Sequence, residues 1–132
     1  MAARAATATP AATPAATQWP ASSAVSVNEV RLVGRVSVDP EEKQLPSGDV
    51  LWSVRLVVER EAPVAHSRQV IDALECAVWR PRLQRSVSAW RAGDVVEVTG
   101  ALRRRFFRVG GSVASRVEVE VSRARLIRRA AT

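Results

Sequence analysis

From Val25 onward, large apolar side chains recur at every second position in runs separated by turns and loops, and one short stretch has a different period. Side chains two apart share a face of a β-strand, so the pattern calls for a set of half-buried strands. In the first run, Val27 to Val38, the residues Val30, Leu32, Val36 and Val38 share a face with Gly34. A glycine among packed side chains predicts a bulge or sharp bend. The turn-rich stretch Asp39 to Gly48 ends that strand. A second run then places Val50, Trp52, Val54, Leu56 and Val58 on one side and Ser53, Arg55 and Glu59 on the other. After a loop around Glu61-Ala62-Pro63, a third strand from Val70 to Trp79 turns Leu74, Cys76 and Val78 one way. Ala73, Ala77 and Trp79 face the other way.

The break in the period is helical. Pro81 suits a first helical turn, Leu83, Val87 and Trp90 recur at spacings of four and three, and Gly93 supplies the stop. The polar face of this helix carries Arg82, Arg85, Ser86 and Arg91. A fourth strand, Val95 to Phe107, and a fifth, about Val113 to Ile127, are joined by the turn Val109-Gly110-Gly111-Ser112. Three strands, one helix and two strands is the order of an all-β, five-stranded OB barrel, with the helix between strands three and four closing one end. A chain of 132 residues holds one such domain, expected over residues 26–129. Residues 1–25 precede it as an Ala/Thr/Pro-rich tail, with Trp19 its one large apolar side chain apart from Met1 and Val25. Such a tract cannot bury enough surface to offset its ordering entropy, and a disordered tail is expected. Thr and Pro interrupt it too often for the apolar core of an export signal.

Charge is distributed unevenly. Through residue 98 basic and acidic side chains balance, whereas residues 99–132 carry nine arginines against Glu118 and Glu120, so the whole formal surplus of +7 lies there. A polyanionic partner is the expectation. No apolar run approaches the roughly 18 residues of a spanning helix, so no membrane association is expected. The single cysteine, Cys76, alternates with Leu74 and Val78 and reads as a buried structural thiol, and the single histidine, His66, falls in a polar loop. Neither can be joined to a second catalytic or metal-binding partner, so no enzyme, metal or cofactor is expected. Gly110-Gly111 lacks the Lys-Ser/Thr of a phosphate loop and reads as a hairpin turn.

The segment Leu102-Arg103-Arg104-Arg105-Phe106-Phe107-Arg108 stands out. On a strand, Arg103, Arg105 and Phe107 project from one face, and Arg104 and Phe106 from the other. Cations beside a ring are the mixture that single-stranded nucleic acid needs, guanidinium for the backbone and an aromatic for stacking. Trp79, on the non-core face of strand three, is a second candidate ring. The alternative for Phe106, Phe107 and Trp79 is a place at a barrel end or a subunit interface. Trp52 and Trp90 follow the core period.

Five fragments in order resemble the bacterial single-stranded DNA-binding protein family: Asn28-Glu29-Val30-Arg31-Leu32-Val33-Gly34-Arg35-Val36, Asp39-Pro40-Glu41, Pro46-Ser47-Gly48, Val54-Arg55-Leu56, and Trp90-Arg91-Ala92-Gly93-Asp94 running on to Gly100-Ala101-Leu102-Arg103. The resemblance covers about Val27 to Arg128. It implies an OB fold, single-stranded DNA as partner, a role in replication, recombination or repair, and a homotetramer. It places Trp79 and Phe107 on stacking positions, with Arg103 and Arg105 beside them, and Arg35, Arg55 and the helix arginines are expected to extend the path. Two of the family's stacking rings fall at Ala62 and Ala73 and are missing. The sequence closes on Arg128-Arg129-Ala130-Ala131-Thr132, so the acidic tip by which the family recruits partner proteins is expected to be absent. The expected location is the cytoplasm, at the nucleoid. The competing readings are an OB oligomerisation or adaptor domain with weak or no single-stranded DNA binding, and an RNA-binding OB domain.

Overall fold

The structure, a computed structural model, describes residues 25–61 and 68–131. The expected tail, except Val25, and Trp19, Ala62 and His66 lie outside the described residues. The elements run β1 (Val30–Val36), β2 (Glu41–Gln44), β3 (Val50–Glu59), β4 (Ile71–Val78), α1 (Pro81–Val87), β5 (Val95–Val109) and β6 (Ser112–Arg128). Strand order in the sheet is β1-β5-β6-β4-β3-β2, and an added β1–β3 pairing closes β1, β5, β6, β4 and β3 into a five-stranded barrel. All pairings are antiparallel except β4 with β6, where Cys76 lies opposite Val119 and Ala77 opposite Glu120. The helix sits between the third and fourth barrel strands, as the sequence pattern predicts.

Closure depends on the first strand serving two neighbours. Arg35 pairs with Val95 of β5 on one edge and Val57 of β3 on the other. A Cβ on the preceding Gly34 would stand 2.6 Å from the Val57 carbonyl oxygen, so only glycine lets the two backbones approach. The expected bend at Gly34 is thus the crossing where β1 passes from one partner to the other. A similar restriction acts at Gly100, where an added Cβ would collide with the Glu120 carbonyl, at a register shift in the β5–β6 ladder.

In β1, β3 and β4 the core follows the expected alternation. Val36, Val54, Leu56, Cys76, Val78, Val96, Val98, Val119 and Val121 point inward and are buried, and Val87 and Trp90 close one end over them. Val30, Leu32, Trp52, Val58 and Leu83 pack against this cluster. Each fully buried Val or Leu contributes about 1.5–3 kcal/mol by leaving water.

Three details depart from the sequence pattern. The stretch read as a turn contains β2, whose Glu41 to Gln44 pair with Ser53 to Val50; these side chains are all exposed, so no apolar alternation announces the strand. The first strand is shorter than its apolar run, and Val38 is exposed rather than inward. The helix ends at Val87, so Trp90 reaches the core from the following turn, and Gly93, at φ +93°, lies in the link to β5 rather than at the helix end.

That link is pinned by Asp94, which is 1% exposed. One carboxylate oxygen accepts the Ala130 N–H at 2.8 Å; the other accepts the Arg91 N–H at 2.9 Å and an Arg129 guanidinium N–H at 3.0 Å. The Val36 N–H donates to the Asp94 carbonyl and the Gly93 N–H to the Val36 carbonyl. One buried carboxylate therefore ties the post-helix turn to the end of β6. Burial pushes the Asp94 carboxyl upward, but the Ala130 and Arg91 amides and Arg129 outweigh it and hold the group below its ordinary value.

Candidate nucleic-acid interface

Beyond the barrel, β5 and β6 continue as a two-stranded hairpin to Gly110-Gly111, both with positive φ, as the turn sequence predicts. The last β6 residues paired with β4 are Val119 and Glu120, so the outer part of the hairpin has no third strand. The outer face of the barrel carries the candidate rings and cations. Trp79 is half-buried at the end of β4, with the Arg105 guanidinium 5.1 Å from its ring centroid. Phe107, further out on the same hairpin face, has the Arg116 guanidinium 5.3 Å from its centroid. Cation–π contacts at exposed sites are worth only about 0.5–1 kcal/mol.

The candidate arginines differ in what surrounds them. Arg103 donates to Glu120 at 2.6 Å and Arg105 to Glu118 at 2.9 Å, and Glu118 is buried beneath Arg105. Arg55 donates to Glu75 at 2.5 Å in a cleft shared with Asp39, Glu41 and Lys43. Arg35 lies in another cleft with Glu59 and Arg128. The fold thus brings Trp79, Arg103, Arg105 and Phe107 together on one face and leaves Arg35 and Arg55 in separate clefts. Ala73, on the outer side of β4 opposite Val57, supplies no ring.

A feature the sequence did not announce is a groove of about 740 Å³ beside Trp79, lined also by Asn28, Arg31, Arg80, Arg103 and Arg123. It runs into a second hollow of about 860 Å³ that shares Arg31, Arg80 and Arg123 and adds Arg82 and Arg125. Glu97 accepts from both Arg31 and Arg125, and the side-chain hydrogen bonds of Arg125 and Arg31 hold its carboxyl below the ordinary value. Arg80, Arg82 and Arg123 have no carboxylate partner among the described residues. Arg82 is one of the helix arginines expected to extend the path; Arg80, just before α1, and Arg123, on β6, join it from segments distant in the chain, which is why no sequence motif marks those two. At the mouth, the Asn28 side chain accepts the Leu102 N–H and donates to the Leu102 carbonyl, both at 2.8 Å, fixing the base of the hairpin.

Among the described residues no group of His, Cys, Asp or Glu could hold a metal ion, and no helix is long and apolar enough to cross a membrane. Burial pushes the Cys76 thiol up to about 12, aided by Glu75 and Glu118. A thiol so far from ionising is a poor nucleophile. Native protein is therefore expected to resist iodoacetamide at pH 8 over hours and to take up one equivalent when unfolded; mass spectrometry distinguishes the two states, and rapid native labelling would contradict the buried placement.

The fold and groove define a small OB barrel with a ring-and-guanidinium surface. The family comparison agrees: residues 27–127 match the Single-strand binding protein family. The chain belongs to that family. It is 28% identical over 79 residues to Single-stranded DNA-binding protein 1 of Lactococcus lactis, covering 60% of this chain and 53% of that protein. It is 29% identical over 80 residues to Single-stranded DNA-binding protein B of Bacillus subtilis, covering 61% of this chain and 71% of that protein. The match spans about half the length of the Lactococcus relative. Among solved structures, the Plasmodium falciparum SSB complex with ssDNA aligns with a TM-score of 0.63 at 22% identity, over 78% of this chain and 95% of that one, a likeness of fold.

Proposed function

We propose that this protein binds single-stranded DNA with little sequence preference and without catalysing a reaction. The observation that carries the reading is Trp79, half-buried beside a groove and adjoining hollow whose Arg80, Arg82 and Arg123 have no carboxylate partner among the described residues. Arginine captures the backbone and the ring accepts a base, a pairing tolerant of sequence because every base has a π-face. Arg103 and Arg105 are held by Glu120 and Glu118 until phosphate competes for them, and Arg105 leaves the Trp79 ring as a base arrives. Replication, recombination or repair is the setting the family supports, in the cytoplasm at the nucleoid and as a homo-oligomer, with four copies the family's usual number.

Each phosphate contact releases counterions, lowering log affinity by about 0.7 per decade of salt for single strands. Three free groove arginines set a slope of about −2 or steeper for oligo(dT), measured by fluorescence anisotropy between 50 and 300 mM salt. A flat response would overturn the electrostatic part of the reading. The carboxylates beside Arg55, Arg103 and Arg105, with no ring at Ala73, favour the second reading, an oligomerisation or adaptor domain. That reading requires oligonucleotide affinity no better than a generic basic protein's.

A further inference from the structure

The two faces of the β5–β6 hairpin are chemically different. On the face that carries Trp79 beyond its base, Arg103 and Arg105 are ion-paired and Phe107 lies under Arg116. On the opposite face, Arg104, Phe106 and Arg108 follow one another at strand spacing, and their partners across the ladder are Val117, Ser115 and Val113. Arg104 donates only to the Ser115 hydroxyl, at 3.0 Å. Arg108 has no partner among the described residues. Phe106 is 66% exposed, against 38% for Phe107. Val113 and Val117 beside it are 64% and 44% exposed. Among the described residues this face has no carboxylate. Its exposed ring, between two uncompensated guanidiniums about 13 Å apart at strand rise, has the same chemistry as the Trp79 groove without the internal partners that occupy it.

We propose that this face is a second single-strand tract, in which a base stacks on Phe106 and the flanking phosphates meet Arg104 and Arg108, so that a long strand passes around the hairpin and contacts both faces. The inference rests on the proposed function above. A strand is favoured over a second copy of the chain because self-complementary pairing of this face would oppose arginine to arginine with no carboxylate to relieve them.

The test compares Phe106→Ala with wild type on oligo(dT) long enough to span both faces and on a short oligo(dT) that fills the Trp79 groove alone. Loss of one stacked base is expected to weaken the long oligonucleotide about fivefold or more, leaving the short one within about twofold. Phe106→Trp should restore the long-strand affinity and add a fluorescence signal that the long strand quenches and the short one does not. Arg104→Gln with Arg108→Gln should flatten the long-strand salt slope by about 1.4, two single-strand phosphate contacts. Unchanged long-strand affinity in Phe106→Ala, while Trp79→Ala weakens it, would overturn this inference and leave the proposed function standing. A wild type that binds neither oligonucleotide would overturn both. If Phe106→Ala instead dissociates the DNA-free protein in sedimentation, the face joins copies and the inference fails. The substitutions lie on an exposed face outside the buried core, and unchanged thermal melting verifies their fold.

Discussion

Replacing Trp79 with alanine is expected to weaken oligo(dT) binding about 5- to 150-fold, the equivalent of the roughly 1–3 kcal/mol that one stacked base contributes. The ring is the aromatic at the head of the arginine groove and is only half-buried at the end of β4. Its removal should leave the fold intact, because the local tertiary ties run through backbone: the Gln84 side chain donates to the Val50, Val78 and Trp79 carbonyls. Trp79→Phe keeps a π-face and should recover most of the affinity. Arg105, whose guanidinium lies over the ring, also donates to Glu118. Arg105→Gln should therefore reduce the salt slope while leaving the stacking loss of Trp79→Ala in place. An unchanged affinity in Trp79→Ala, with normal melting, would remove stacking from the mechanism.

The second large effect is on stability. Asp94→Ala deletes a buried carboxylate that satisfies the Arg91 and Ala130 amides and faces Arg129. Hydrogen bonds to a charged group contribute about 1.5–3 kcal/mol each, and orphaned buried amides add their own cost. A loss of about 3 kcal/mol or more is expected, measured by urea denaturation. The same group sets an acid dependence. Its folded pKa lies below the unfolded value of about 3.9, so its contribution is complete above that value and disappears as pH falls through the folded pKa. Glu97, lowered by Arg125 and Arg31, and Asp72, lowered by Arg60, act in the same direction from more exposed positions. Wild type should therefore lose stability below about pH 4, and Asp94→Asn should lose less over that interval because its largest loss is already present at pH 7. Parallel acid profiles in the two proteins would show that Asp94 is not the linked group.

Much of this architecture was legible in the sequence because burial and strand geometry share a period of two. Val54 and Leu56 and Cys76 and Val78 lie inward where alternation placed them. The two arms of the hairpin and its Gly110-Gly111 turn were legible for the same reason. β2 was not, since its four residues are exposed and its existence rests on pairing with β3. Trp90 carried the helical spacing past the helix because a buried side chain can be delivered from a turn as well as from a last helical residue. The electrostatic pattern was least visible. Arg103 meets Glu120, and Arg55 meets Glu75, only through ladder register, and Arg80 and Arg123 share a groove only after the barrel closes. Sequence placed the cations on the correct strands, but which of them keep a free charge is a property of the fold.

The most direct measurement is an anisotropy titration of labelled oligo(dT), competed with unlabelled duplex DNA and with oligo(U). On the proposed reading, Trp79 takes unstacked bases and the groove arginines take phosphates, so duplex should fail to displace the labelled strand at concentrations where unlabelled oligo(dT) succeeds. Displacement by duplex as effective as by oligo(dT) would mean that the arginines act as a generic polycation and would contradict single-strand recognition; displacement by oligo(U) alone at lower concentration would assign the surface to RNA.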